Sequence, residues 1–187
     1  MASEPVRRRF TVAQFEQMGH SGILAEDDRV ELIAGEIIEM AAIGQRHAAC
    51  VKLLVRLLVQ FFGNAAIIGA QDPIVIGDDY EPQPDLMVLK PRDDFYAGGH
   101  PTPEDVLLLI EIADSSLRFD RRVKLPLYAD AGIPETWLLD LNANRIERHS
   151  NPADGAYRVV RRFRPGQTIA SATVPGLSFP VSTLLIV

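Results

Sequence analysis

EPQPDLMVLK at residues 81–90 and VLLLIEIADSSLRFDRRVKLPLYADAGIPETWLLDL at residues 106–141 decide how this chain folds. They read as strand, loop, strand, helix, strand. Val106 to Ile112 is apolar almost throughout, as in a central strand covered on both faces. Asp85 opens the first strand, Glu111 closes the second, and Lys124 lies on the helix between the second and third. Pro126 removes a backbone donor there, which predicts a kink or a late start, and Gly132 ends the helix. Thr136 to Leu141, with the single tryptophan Trp137, reads as a further buried strand.

Outward from this stretch, Thr11 with Gln14 forms a possible capping box for a short helix through Met18. RVELI and EIIEM flank Ala34-Gly35, and Gly35 takes positive φ without steric cost, which predicts a tight hairpin. Alternation there points to one buried face and one less buried. QRHAACVKLLVRLLVQFF, residues 45–62, is a helix whose apolar residues cover more than one stripe, so it is expected to be sandwiched. Short strands are expected at 65–69 and 73–76. Residues 91–105 are a long loop, a candidate lid. RIERHS and Tyr157 to Phe163 form a second hairpin. The fold class expected is α/β: a mixed central sheet flanked by helices, with β-hairpins at both ends. Residues 1–9 read as a flexible tail, followed by one domain over residues 10–187.

The 187 residues are 47% hydrophobic and 24% charged, with a net charge of −6. That balance argues against coating nucleic acid through bulk charge, while leaving room for a nuclease, whose metal site contributes carboxylates. The arginine runs at 7–9, 118–122 and 158–164 read first as solvated faces. The lone Cys50 excludes an intramolecular disulfide and reads as a core residue. No apolar run reaches membrane-spanning length and no secretory signal stands at the N-terminus, so a cytoplasmic protein with no membrane contact is expected.

Asp85 and Glu111 pose the chemical question. A buried carboxylate is costly unless paired or bound to a cation. Two of them on adjacent strands suit a hard divalent ion, which takes one or two carboxylates plus water and phosphate. Lys124, if it reaches the pocket, would orient the attacking water. The alternative is a strand-end acid satisfied by backbone donors, with a surface Asp120–Lys124 pair.

The string YEPQPDLMVL…LLLIEIADSSLRFDRRVKLPLYADAGIPETWLLDL resembles the Uma-type restriction endonuclease family, within the PD-(D/E)XK nuclease superfamily. RVELIAGEIIEM followed by His47 extends the resemblance over roughly residues 10–145. It implies a metal-dependent endonuclease acting on DNA with Mg²⁺ or Mn²⁺. Pro84-Asp85 resembles the first signature and Glu111 the second acid. The usual lysine two residues on is Ala113 here, and Lys124 matches a family lysine on the next helix. Glu31 resembles an extra N-terminal acid and possible metal ligand. Gln83, Asp120 and Tyr128 match supporting positions, and Ser115 and Ser116 are placed to hold the loop after Glu111.

His47 reads as a phosphate contact or proton carrier, or, more simply, as a half-buried histidine bonded to a carboxylate such as Glu31. Two competing functions stay open: a nuclease-fold binding or regulatory module with slight or no activity, and an assembly protein. A homodimer is expected, through the greasy C-terminal LLIV and the 145–163 hairpin.

Overall fold

A computed structural model describes residues 7–25 and 27–186. Residues 1–6 of the expected tail lie outside them; Arg7, Arg8 and Arg9 are exposed.

Thr11 caps α1 (Val12–His20) with the full capping box. Strands β1 (Val30–Ile33) and β2 (Glu36–Glu39) pair antiparallel across Ala34 and Gly35. Both turn residues have positive φ, 52° and 73°, the mark of a type I′ turn. The expected alternation fails here, because Glu31, Leu32 and Ile33 are all buried. Leu32 packs with Val12 and Phe15, and Glu31 turns toward the site described below.

Helix α2 (Gln45–Phe62) buries Cys50, Val51, Leu54 and Leu58 and leaves Val59 and Phe61 exposed, so it lies on the surface rather than between layers. Strands β3 (Ile67–Ala70), β4 (Leu86–Leu89), β5 (Val106–Ala113), β6 (Glu135–Asp140), β7 (Arg145–Ala153) and β8 (Ala156–Phe163) form one six-stranded sheet in that order. Only β5 and β6 pair in parallel. Residues 73–76 are not a strand: Ile74 and Ile76 bond only to Pro82 and Tyr80 in the neighbouring turn. The expected second hairpin is β7 with β8, and it forms the far end of the main sheet.

Side chains alternate across the sheet, so each central strand feeds two cores. Leu86, Val88, Leu108, Ile110, Ile112, Trp137 and Leu139 pack under α2. Met87 and Leu109 meet Tyr128 and Ile133 on the other face, and Ala113 and Leu138 meet Leu125. The covering helix on that second face is broken into α3 (Leu117–Phe119), a π-type turn (Asp120–Lys124) and α4 (Leu125–Asp130). The Leu125 N–H bonds the Asp120 carbonyl five residues back. The π turn stands immediately before Pro126, which has no N–H to offer the carbonyl four residues behind it.

Strands β9 (Thr168–Ala170) and β10 (Ser178–Pro180) pair on their own, and α5 (Val181–Leu184) follows. Leu184 and Leu185 are buried in the core beneath α2, so these greasy residues are not available as a dimer face. Val187 lies outside the described residues.

Candidate active site

One row of cross-strand neighbours runs from β5 to β8: Glu111, Leu138, Glu147, Arg162. The π turn lies over this row. Lys124 reaches Glu111 on one side of Leu138, and Arg121 reaches Glu147 on the other. Both ends of the turn are thereby fastened to buried glutamates.

The sheet, the hairpin and the π turn enclose a cavity of about 310 Å³. Its walls include Glu31, His47, Gln83, Asp85, Glu111, Ser115, Asp120 and Lys124, so most of the expected residues meet there. The exception is Tyr128, which stands behind the wall and donates to Glu111 Oε1 at 2.6 Å.

Lys124 Nζ lies 3.0 Å from Glu31 Oε2 and 3.4 Å from Glu111 Oε1, and donates to the Gln83 carbonyl at 3.3 Å. Gln83 N–H donates to Glu31 Oε2 at 3.2 Å. Gln83 thus supports the site mainly through its backbone, which its side-chain type does not reveal. Asp85 Oδ2 accepts the Ile112 N–H at 2.8 Å, and the Asp85 N–H faces Glu111 Oε2 at 3.4 Å. His47 Nε2 lies 2.9 Å from Asp85 Oδ1. The histidine does bind a carboxylate, but that of Asp85 and not Glu31.

Asp120 and Lys124 are only 3% and 5% exposed, so the surface-pair alternative does not describe them. Asp120 accepts from Ser116 Oγ at 2.7 Å. Ser116 is the serine that holds this loop; Ser115 lines the cavity and is exposed. Ala113 packs against Leu125 and Leu138, and the amine arrives instead from the helix above.

Burial pushes the Glu111 carboxyl above the usual range; Lys124 opposes the rise, and Asp85 and Asp120 add to it. Burial likewise carries Asp120 up to about 6 against the Ser116 bond and Lys124. At Lys124 burial works against the charge, but Glu111, Glu31 and Asp120 outweigh it and hold the ammonium above its ordinary value. The hydrogen bond to Asp85 outweighs burial at His47 and raises it. Glu31, Glu111 and Asp120 therefore crowd one lysine while Asp85 pairs with His47 beside them, and the acidic excess that is left is an electrostatic condition a divalent cation relieves. Asp85 and Glu111 both offer oxygen ligands, the donor type that Mg²⁺ and Mn²⁺ prefer. Among the described residues no three or more His, Cys, Asp or Glu side chains are grouped as a ready metal set. A cation here would rest on two carboxylates and water, which suits Mg²⁺.

Two charged wall residues were not singled out from the sequence. Arg29 bonds the Ala41 carbonyl and brings a guanidinium to the rim, and the Asp114 carbonyl accepts from Asn142 beside the cavity. A cation near acids was the signal for Arg29, but its place became apparent only with the hairpin folded.

A model of the Uma2 family, described as "Putative restriction endonuclease", matches residues 12–182. The crystal structure of a protein described as a putative nuclease of DUF820 from Anabaena variabilis superposes with a TM-score of 0.70 at 18% identity. The match covers 94% of this chain and 97% of that one, and shows a shared fold. No curated protein matches the chain in sequence.

Proposed function

Because the chain belongs to the Uma2 family, we propose that it is an endonuclease that hydrolyses phosphodiester bonds in DNA with Mg²⁺ or Mn²⁺. The observation that carries this reading is the convergence of Asp85, Glu111 and Lys124 on one cavity, with the amine 3.4 Å from Glu111.

Asp85 and Glu111 would hold the cation, with Glu31 in the same cavity as a further acid that also holds Lys124 at 3.0 Å. A divalent ion so bound lowers the pKa of a water ligand and stabilises charge on the phosphodiester. Tyr128 and the Asp85 N–H keep Glu111 in a fixed orientation, and His47 and the Ile112 N–H do the same for Asp85. Lys124, anchored by Glu31 and the Gln83 carbonyl, presents its ammonium as a point charge to the attacking water or a phosphoryl oxygen. Arg29 is placed to meet a phosphate entering the mouth. The reading includes a homodimer, for which exposed Val160 on edge strand β8 offers a contact in place of the buried C-terminus.

The test is cleavage of plasmid and single-stranded DNA with Mg²⁺ or Mn²⁺, comparing wild type with Asp85→Ala, alongside calorimetric titration of Mn²⁺. Cleavage and Mn²⁺ binding that both fall in the variant support the proposal. Wild-type protein that cuts nothing across metals, or a variant that cuts equally well, overturns it. A protein that neither cuts nor binds millimolar Mn²⁺ is instead a nuclease-fold binding module.

A further inference from the structure

The buried glutamates of this protein are not treated alike. Glu135 is saturated: Oε1 accepts from Trp137 Nε1, and Oε2 accepts from the Ala172 and Thr173 N–H groups and the Ser171 and Thr173 hydroxyls. Glu147 is ringed by Arg121, Arg145 and Arg162. Glu81 is only 6% exposed, yet its Oε2 has no hydrogen-bond partner among the described residues. Leaving such a group unmatched costs about 1–3 kcal/mol. The backbone gives it no slack, because Glu81 exchanges N–H and carbonyl bonds with Leu32 of β1.

Glu81 stands on the wall of a second cleft, of about 670 Å³, distinct from the catalytic cavity. Glu81 lines the cleft while its Oε2 is sealed from solvent, so a ligand there meets the carboxyl through the other oxygen or after a turn of the soft terminal torsion. Glu16 and Asp28 are the other acids in the lining; His20 and His100 stand there too, but no Lys or Arg does among the described residues. The lining therefore calls for a positive ligand with hydrogens to donate. The space far exceeds one bare metal ion and suits a larger organic group. Phe15, Leu24 and Val30 add apolar wall suited to an alkyl stem.

We propose that this cleft binds an organic cation bearing a primary ammonium or guanidinium group, with Glu81 as its anchor and Glu16 as the second acid. Burial, with Glu16 adding, pushes the Glu81 carboxyl up to about 7, so the bound cation takes the place of a proton. Gln83 lines both cavities and its backbone holds Glu31 and Lys124, but the proposal stands independently of the nuclease reading.

Calorimetry on the full chain in EDTA tests it, with spermidine, methylguanidinium, a Gly-Arg-Gly amide and, as a control without N–H donors, tetramethylammonium. Saturable binding of the donors but not the control is expected. Glu81→Gln should weaken it at least ~10-fold, as when one partner of a buried charge pair is removed. Glu16→Gln should weaken it less and serves if Glu81→Gln does not fold. Asp85→Asn should leave it unchanged. Tighter binding of spermidine points to a free polyamine, and of the peptide to a partner's side chain. No saturable donor binding, binding unaltered by both glutamate variants, or binding lost in Asp85→Asn overturns the proposal. So does a Mn²⁺ site, measured without EDTA, that Glu81→Gln abolishes.

Discussion

Lys124→Met keeps the length of the side chain and removes the only ammonium from a cluster holding Glu31, Glu111 and Asp120. Stripping the cation from a buried ionic cluster costs about 3–5 kcal/mol, because the acids remain without compensation. For a protein of this size that lowers Tm by roughly 6–20 °C, taking ~2–4 °C per kcal/mol. The penalty depends on pH, with a definite sign. Asp120 is raised from 3.8 to about 6, so it binds its proton more readily folded than unfolded, and stability falls as pH rises through that window. Without Lys124, Asp120 and Glu111 rise further, and the loss extends to higher pH. The substitution should therefore cost less than ~1 kcal/mol near about pH 5, where these acids take up protons, and progressively more as pH rises to about 8 and beyond. Urea unfolding followed by the fluorescence of buried Trp137, in EDTA, measures both. A penalty that is flat with pH, or below ~1 kcal/mol at the higher pH, would mean that Lys124 is solvated and the electrostatic argument is wrong.

Tyr128→Phe removes a 2.6 Å bond to a buried carboxylate, and should cost about 1.5–3 kcal/mol in urea unfolding. In the cleavage assay it should lower turnover by ~10–100-fold through a misoriented Glu111. Gly35→Ala should destabilise the hairpin, because the new Cβ would stand 2.7 Å from the Arg9 Cβ and 2.9 Å from the Phe10 carbonyl at a φ of +73°; Ala34→Gly, at φ 52°, should gain up to about 1 kcal/mol by thermal melting. Multi-angle light scattering should give twice the chain mass, and Val160→Glu should return it to one chain if β8 is the contact.

The alternation of helix and strand, the hairpin at Ala34-Gly35 and the main helix limits were legible because they rest on local chemistry: a capping box, a turn that needs positive φ, period-matched apolar runs. The two-sided core under β5 was legible for the same reason. Burial of the β1 acid was not, since what covers Glu31 is Lys124, distant in sequence. The short apolar run at 73–76 misled because sheet membership requires a partner, and Tyr80 and Pro82 turn the chain away first. The chemistry-bearing types at Asp85, Glu111 and Lys124 were visible as polar breaks in greasy segments. The pairing of His47 with Asp85 and the work of the Gln83 backbone depend on tertiary approach, and composition carries no trace of either.

Lys124 owes its direction to one surplus residue in the backbone spiral. Each residue of an α-helix advances about 100° around the axis. Deleting Arg122 or Val123 would rewind the coil and swing Arg121 and Lys124 out of phase by that angle, so that only one could keep its glutamate. Point substitutions here tune a charge, whereas a single-codon deletion would re-aim the amine altogether.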